Sequence, residues 1–166
     1  MIIRREHAAD RPEIVALIEA VFPEPVEARL LRELFASREY IPELSLVAES
    51  DGGEILGYVI STRGWVGEVP ALGLGPIGVL PAYQKQGVGS ALMQASIDAA
   101  NGLGEPVIAL LGSTEYYPRF GFLPADSLGI FSPDPSWGSY FMALPLAGFH
   151  SGIRGHFKYA EPFNNL

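Results

Sequence analysis

The segment from Leu72 to Ala100 constrains this chain more than any other. A strand-like run, Leu72 to Val79, leads through Leu80-Pro81-Ala82-Tyr83 into a glycine-spaced turn, Gln84-Lys85-Gln86-Gly87-Val88-Gly89. A helical pattern follows at once. Val88, Leu92, Ala95, Ile97 and Ala99 or Ala100 give it an apolar side, and Asn101-Gly102 ends it. The apolar run Val107 to Leu111 then reads as a central strand. Strand, helix and strand in this order predict a right-handed crossover between parallel neighbours. The first turn of a helix carries backbone N–H groups without partners, at the positive end of the helix dipole. Both properties favour phosphate, and Gly87 and Gly89 let a diphosphate approach the backbone closely. The turn is too short for a GxxxxGK[ST] loop and does not match GxGxxG. On spacing alone a second reading stands beside the first, in which the two glycines only shape a tight turn.

The rest of the chain supplies a frame for that unit. Ile2-Ile3-Arg4 predicts a short strand. Asp10 is the expected N-cap of a first helix, with Pro12 in its first turn and Glu13 completing a capping box. Ile14, Val15, Leu17, Ile18 and Val21 form its apolar face. A second helix is predicted over 26–37, with Leu30, Leu31, Leu34 and Phe35 as its buried stripe. Two β-like runs, 44–49 and 54–62, flank Asp51-Gly52-Gly53 and predict a hairpin. Residues 63–71 read as a glycine-containing connection. Pro76, inside the next strand, marks an edge or a bulge. A short helix over 114–120, a late strand over 140–144 and an irregular tail from Gly148 complete the expectation. The layout is mixed α/β, with an antiparallel first half and one parallel crossover unit.

Composition narrows the function. The 166 residues suit one domain, and the hydrophobic content of 48% argues for a packed core. The net charge of −8 argues against a general nucleic-acid binder, which needs basic patches. It leaves room for one anionic ligand held by backbone N–H groups. The chain has no cysteine, so thiol catalysis, iron–sulfur clusters and disulfides are excluded. His150 and His156 lie six residues apart on the tail without an HExxH or Cys/His cluster, so no metal is expected. No stretch is long and apolar enough for a membrane span, and the N-terminal residues lack a signal-peptide h-region. A cytoplasmic protein without a membrane partner is the expectation. Phe149, Ile153, Phe157, Tyr159 and Phe163 in the tail either wrap their own domain or join a homodimer interface.

Gln84 to Gly89 resembles the Q/R-x-x-G-x-G/A signature of the GNAT superfamily of N-acetyltransferases. Leu74-Gly75-Pro76-Ile77-Gly78-Val79 resembles the strand before that signature. Tyr116-Tyr117-Pro118-Arg119-Phe120-Gly121-Phe122 resembles the later Y-x-x-x-G-F motif, and the combination is similar to the YhbS-like branch. The resemblance covers residues 2–146 and is strongest over 72–122. It implies a GNAT-like α/β fold with a mixed, splayed central sheet, formed by a domain over 1–146 and followed by a tail over 147–166. It also implies transfer of an acetyl group from acetyl-CoA to a primary amine, on a small molecule or a peptide, by direct attack. A non-catalytic acyl-CoA-binding module is the alternative.

Carried over residue by residue, the resemblance assigns pantetheine contacts to the backbone of Ile77, Gly78 and Val79. It assigns the diphosphate to the turn formed by Gln84, Lys85, Gln86, Gly87, Val88, Gly89 and Ser90. Tyr117 matches the tyrosine that protonates the departing thiolate, a role a positioned hydroxyl can fill as charge builds on sulfur. Two positions depart from the pattern. Many relatives carry Asn after the strand that ends here at Leu111, where this chain has Gly112-Ser113-Thr114; Ser113 is the candidate replacement contact. Many relatives also carry Glu on the strand matching 72–79, which here has no acid. Glu68, just upstream, is the nearest candidate base, and a water chain is the equal alternative.

Overall fold

The computed structural model describes all residues, 1–166. Strands β1 (Ile2–Arg5), β2 (Ser45–Glu49), β3 (Ile55–Val66) and β4 (Val69–Val79) form an antiparallel half-sheet, and β5 (Val107–Leu111) joins β4 in parallel. Short strands β6 (Leu123–Pro124) and β7 (Ile130–Phe131) follow, then β8 (Phe141–Pro145) and β9 (Gly155–Lys158). The path of the sheet is β1-β2-β3-β4-β5-β8-β6, with β9 paired to β3 and β7. Helices α1 (Arg11–Val21), α2 (Val26–Phe35) and α3 (Val88–Gly102) cover it.

Strand alternation decides which helix covers which face. Leu46, Ala48 and Val59 point to α3, where they pack with Leu92, Met93 and Ile97. Val47, Tyr58 and Ile60 point the other way, onto Ile14 and Ile18 of α1 and Leu31 and Leu34 of α2. In the second half of the sheet that second face has no α-helix, only short 3-10 turns over 125–128 and 135–140. There Val107, Ala109, Phe141 and Ala143 pack against Ile153, Phe157 and Tyr159 of the tail. The tail thus continues in aromatic residues the layer that α1 and α2 begin.

Several local expectations are corrected. Asp10 makes no side-chain cap bond to α1. Its carboxylate accepts from the His7 N–H (2.7 Å) and from Arg4 (2.9 Å), closing the turn before the helix. Glu13 does not close a capping box either; it reaches across to accept from the Ile55 N–H at 3.0 Å. Residues 63–71 are not a long connection: β3 runs to Val66 and β4 starts at Val69. Nor is the tail irregular throughout. Its β9 pairs Lys158 with Trp65 and Phe157 with Val66. Ile153, Phe157 and Tyr159 are buried within the single chain.

Of the edge or bulge that Pro76 marks in the sequence, the bulge is present. Pairing steps from Val59↔Ile77 to Ser61↔Leu74, so β4 carries one residue more than β3 there. On its other side β4 pairs with β5 only at Leu72↔Ile108 and Gly73↔Ala109. Beyond Gly73 the two strands part, while β5 stays paired with β8 along its whole length. This opening is the feature around which the site is built.

Candidate active site

Two cavities flank the opening. The first, of about 520 Å³, lies over the glycine turn and is lined by Val79, Gln84, Lys85, Gly87, Gly89, Ser90, Tyr116 and Arg119. The first backbone bond of α3 runs from the Ala91 N–H to the Gly87 carbonyl (3.0 Å), so the N–H groups of Val88, Gly89 and Ser90 have no partner within the helix. Gly87 has φ +90°, and a Cβ there would meet no atom within 4 Å, so the turn faces open space. Lys85 also lies in the left-handed region, at φ +63°. Two cations, three free N–H groups and a helix N-terminus are a donor set that fits a diphosphate.

Side chains brace this turn from both ends. Gln84 Nε2 donates to the Val79 carbonyl (3.0 Å), and Gln86 Nε2 donates to the Ala82 carbonyl (3.1 Å). Tyr116 places its hydroxyl 3.4 Å from Ser90 Oγ. Its ring lies under the Arg119 guanidinium, 4.5 Å from centroid to Cζ, and its carbonyl accepts from Arg119 Nε (2.9 Å). Ser113 Oγ accepts the N–H groups of Glu115 and Tyr116, each at 3.2 Å, and so starts the turn that presents both tyrosines.

The second cavity, of about 320 Å³, lies across the opening on the side of α1, α2 and the tail. Leu74 to Ile77 of β4 and Leu110 and Leu111 of β5 form its floor. Phe22, Glu27, Leu30, Tyr117, Trp137, Tyr159, Phe163 and Leu166 complete its lining. Burial, and secondarily the neighbouring Tyr116, push the Tyr117 pKa above the ordinary tyrosine value. Its hydroxyl therefore keeps its proton through the neutral range. Tyr159 is raised in the same direction by burial. Its ring packs against Gly73, where a Cβ would come within 2.7 Å of Cδ1. Gly112 is fixed similarly: a Cβ there would stand 3.0 Å from Tyr117 Cδ2 and closer still to Cε2.

The structure thus brings Val79, Gln84, Lys85, Gly87, Gly89 and Ser90 together at one cavity, and Ile77 and Tyr117 at the other. Gly78 of β4 faces α1, where a Cβ would be 3.3 Å from Ile18 Cδ1. Val88 turns into the core, and Gln86 is exposed. Glu68 is not brought to either cavity. It sits exposed in the β3–β4 turn, six residues before Leu74, which is roughly 20 Å along an extended strand. Glu27 is the one acidic side chain lining the second cavity. A signal for it was present in the sequence: Glu27 precedes Leu30, Leu31 and Leu34 by three, four and seven residues, and so occupies a position of the apolar stripe. No group of three or more His, Cys, Asp or Glu is gathered to hold a metal.

A splayed α/β sheet with an anion-binding helix turn on one side of the gap and an apolar cavity on the other defines the class: an acyl-transferase scaffold. The sequence profile described as the Acetyltransferase (GNAT) family matches residues 11–122, and the chain belongs to that family. It is 31% identical to the uncharacterized N-acetyltransferase YhbS of Escherichia coli strain K12 over 171 aligned positions, covering 100% of both chains. A crystal structure of Escherichia coli YhbS in complex with CoA superposes with TM-score 0.90 at 30% identity, over 98% of this chain and 91% of that one. A GNAT family acetyltransferase from Brucella melitensis, in complex with acetyl-CoA, gives TM-score 0.80 at 31% identity, over 98% and 97% of the two chains.

Proposed function

We propose that this protein transfers an acetyl group from acetyl-CoA to a primary amine by direct attack. The observation that carries the reading is the parting of β4 from β5 after Gly73, with the donor-rich turn on one side and the Tyr117-lined cavity on the other. Two similar proteins were crystallised with CoA and with acetyl-CoA, which supports the same choice of donor. Bound acetyl-CoA supplies a thioester carbonyl open to a nucleophile. The chain's own contribution is geometric and electrostatic. The turn from Lys85 to Ser90, with Arg119, holds the diphosphate. The free edge of β4 between the cavities holds the pantetheine arm. Tyr117 donates its proton as sulfur departs. The walls of the second cavity exclude water and orient the acceptor.

The test is to incubate the protein with acetyl-CoA and a panel of primary amines and peptides, following free thiol and the mass of the acceptor together. Thiol release matched by acceptor acetylation is expected. CoA binding with no transfer to any amine would overturn the enzyme reading and leave a binding module.

A further inference from the structure

We propose that Glu27 binds the ammonium group of the acceptor, and that its cavity thereby selects primary amines carried on an apolar or aromatic body. The proposal rests on the acetyltransferase reading for its chemistry, and its own observation is independent of it. Glu27 Oε2 is buried and has no hydrogen-bond partner. The cavity it lines contains no other charged side chain; its walls are otherwise aliphatic, aromatic or glycine. A carboxylate oxygen removed from water without a partner is costly, and that cost is relieved when a cation is brought to it.

The first turn of α2 suits an acid at this position, but no partner within the chain engages the buried oxygen of Glu27. Its neighbours on α2 hold the tail without it: Arg29 donates to the Asn165 carbonyl (3.2 Å), and Glu33 accepts from the Asn165 side chain (3.2 Å). Arg32 pairs with Glu19. Glu27 appears in none of these contacts and lines the cavity that the parted strands also line. The same cavity is lined by Tyr117, Tyr159 and Trp137. Aromatic faces attract an ammonium, and they also bury an apolar substituent. The other ionisable side chains lining the cavity are the two tyrosines, both pushed upward and so neutral near pH 7.

The same placement supplies a base. An ammonium entering the cavity gives one proton to Glu27, which releases it to solvent. The resulting amine forms the C–N bond to the thioester carbonyl as the C–S bond breaks. Tyr117 gives its proton to the sulfur, and the second proton lost from nitrogen restores Tyr117. The sum is one amide, one thiol and one proton released.

Glu27→Gln keeps the shape and removes the charge. The first measurement is calorimetric binding of 2-phenylethylamine and of 2-phenylethanol to the CoA-loaded protein, with CoA affinity as the check on folding. The parent should prefer the ammonium by about tenfold or more, as expected for a hydrogen bond to a charged group, and the variant should lose that preference. Equal binding of the two probes by the parent, binding of neither, or an undiminished preference in the variant overturns the proposal. The second measurement is single-turnover transfer at saturating amine, where Glu27→Gln should be slower by roughly 10- to 1000-fold. Parental speed in the variant overturns the proton role. A parent that prefers the ammonium but transfers to no amine overturns the proton role together with the acetyltransferase reading, and leaves the ammonium site standing.

Discussion

Tyr116 and Tyr117 are consecutive in the chain and pack edge to face, with ring centroids 5.1 Å apart, yet they line different cavities. Tyr116 belongs to the anion side, with its hydroxyl near Ser90 and its ring under Arg119. Tyr117 belongs to the apolar side and packs edge-on against Phe122, at 6.0 Å between centroids. One short turn therefore separates the two cavities, which the proposed function assigns to donor binding and to chemistry. Substitutions on its two sides should separate affinity for acetyl-CoA from the rate of transfer.

Tyr117→Phe removes a hydroxyl and keeps the ring. Acetyl-CoA affinity should change little, because the glycine turn proposed to hold the diphosphate lines the other cavity. Single-turnover transfer should fall by roughly 10- to 1000-fold. Burial holds the Tyr117 proton above the ordinary value of 10.0, so this group should cause no alkaline loss of rate below that pH. Equal single-turnover rates in parent and variant would remove Tyr117 from the reaction.

Gly112→Ala tests how the ring of Tyr117 is placed. The new methyl would overlap the ring, and the backbone N–H of Gly112 is tied to the Tyr140 carbonyl (2.9 Å), so the ring must yield rather than the strand end. Transfer should fall by about tenfold or more through misplacement, with acetyl-CoA affinity kept. Full activity in a folded variant would show that the ring position is not critical.

Gly89→Val acts on the opposite side. A Cβ at Gly89 already lies 3.4 Å from the Tyr116 hydroxyl and 3.8 Å from Val79 Cγ2, so branched methyls would fill the space over the free N–H groups. Acetyl-CoA affinity, measured by calorimetry, should drop by about tenfold or more before the domain loses stability. An unchanged affinity would take Gly89 out of the donor site.

What was legible in the sequence follows from how local each signal is. The strand, glycine turn, helix and strand from Leu72 to Leu111 are encoded by neighbouring residues, and both the turn and the Pro76 bulge were readable. The second cavity is not local. Its walls come from α1, α2, the loop at Trp137 and the tail, so no spacing marks them as one site. Glu27 left a trace only as an acid at an apolar-stripe position. Glu68 drew attention because it is close in sequence to β4, but a strand carries its two ends far apart. The hairpin of β3 and β4 was obscured by Gly64 and Pro70, which read as loop residues. Gly64 is there for the tail: it makes room for β9, which lies far away in sequence.

The contact between Gly64 and β9 leaves no room for a side chain. A Cβ on Gly64 would stand 2.8 Å from the Lys158 carbonyl oxygen and 2.8 Å from Phe157 Cζ. A backbone oxygen cannot rotate aside, so Gly64→Ala must push β9 away from β3. Overpacking of this kind costs about 1–3 kcal/mol, which for a domain of this size lowers Tm by roughly 2–12 °C. The suitable control is Gly52→Ala in the β2–β3 turn, where the nearest atom to a new Cβ is Ser50 Oγ at 3.9 Å; its effect should stay within about 0.5 kcal/mol. Displacing Lys158 also displaces Tyr159, the next residue, which lines the cavity proposed to hold the acceptor. Gly64→Ala should therefore raise KM for the amine while acetyl-CoA affinity stays at the parental value, because the glycine turn lies outside the disturbed layer. Thermal melts of both variants, paired with calorimetric titration of acetyl-CoA, separate the two effects. Equal melting of Gly64→Ala and Gly52→Ala would mean that β9 can shift at no cost, and that the tail does not set the shape of the cavity.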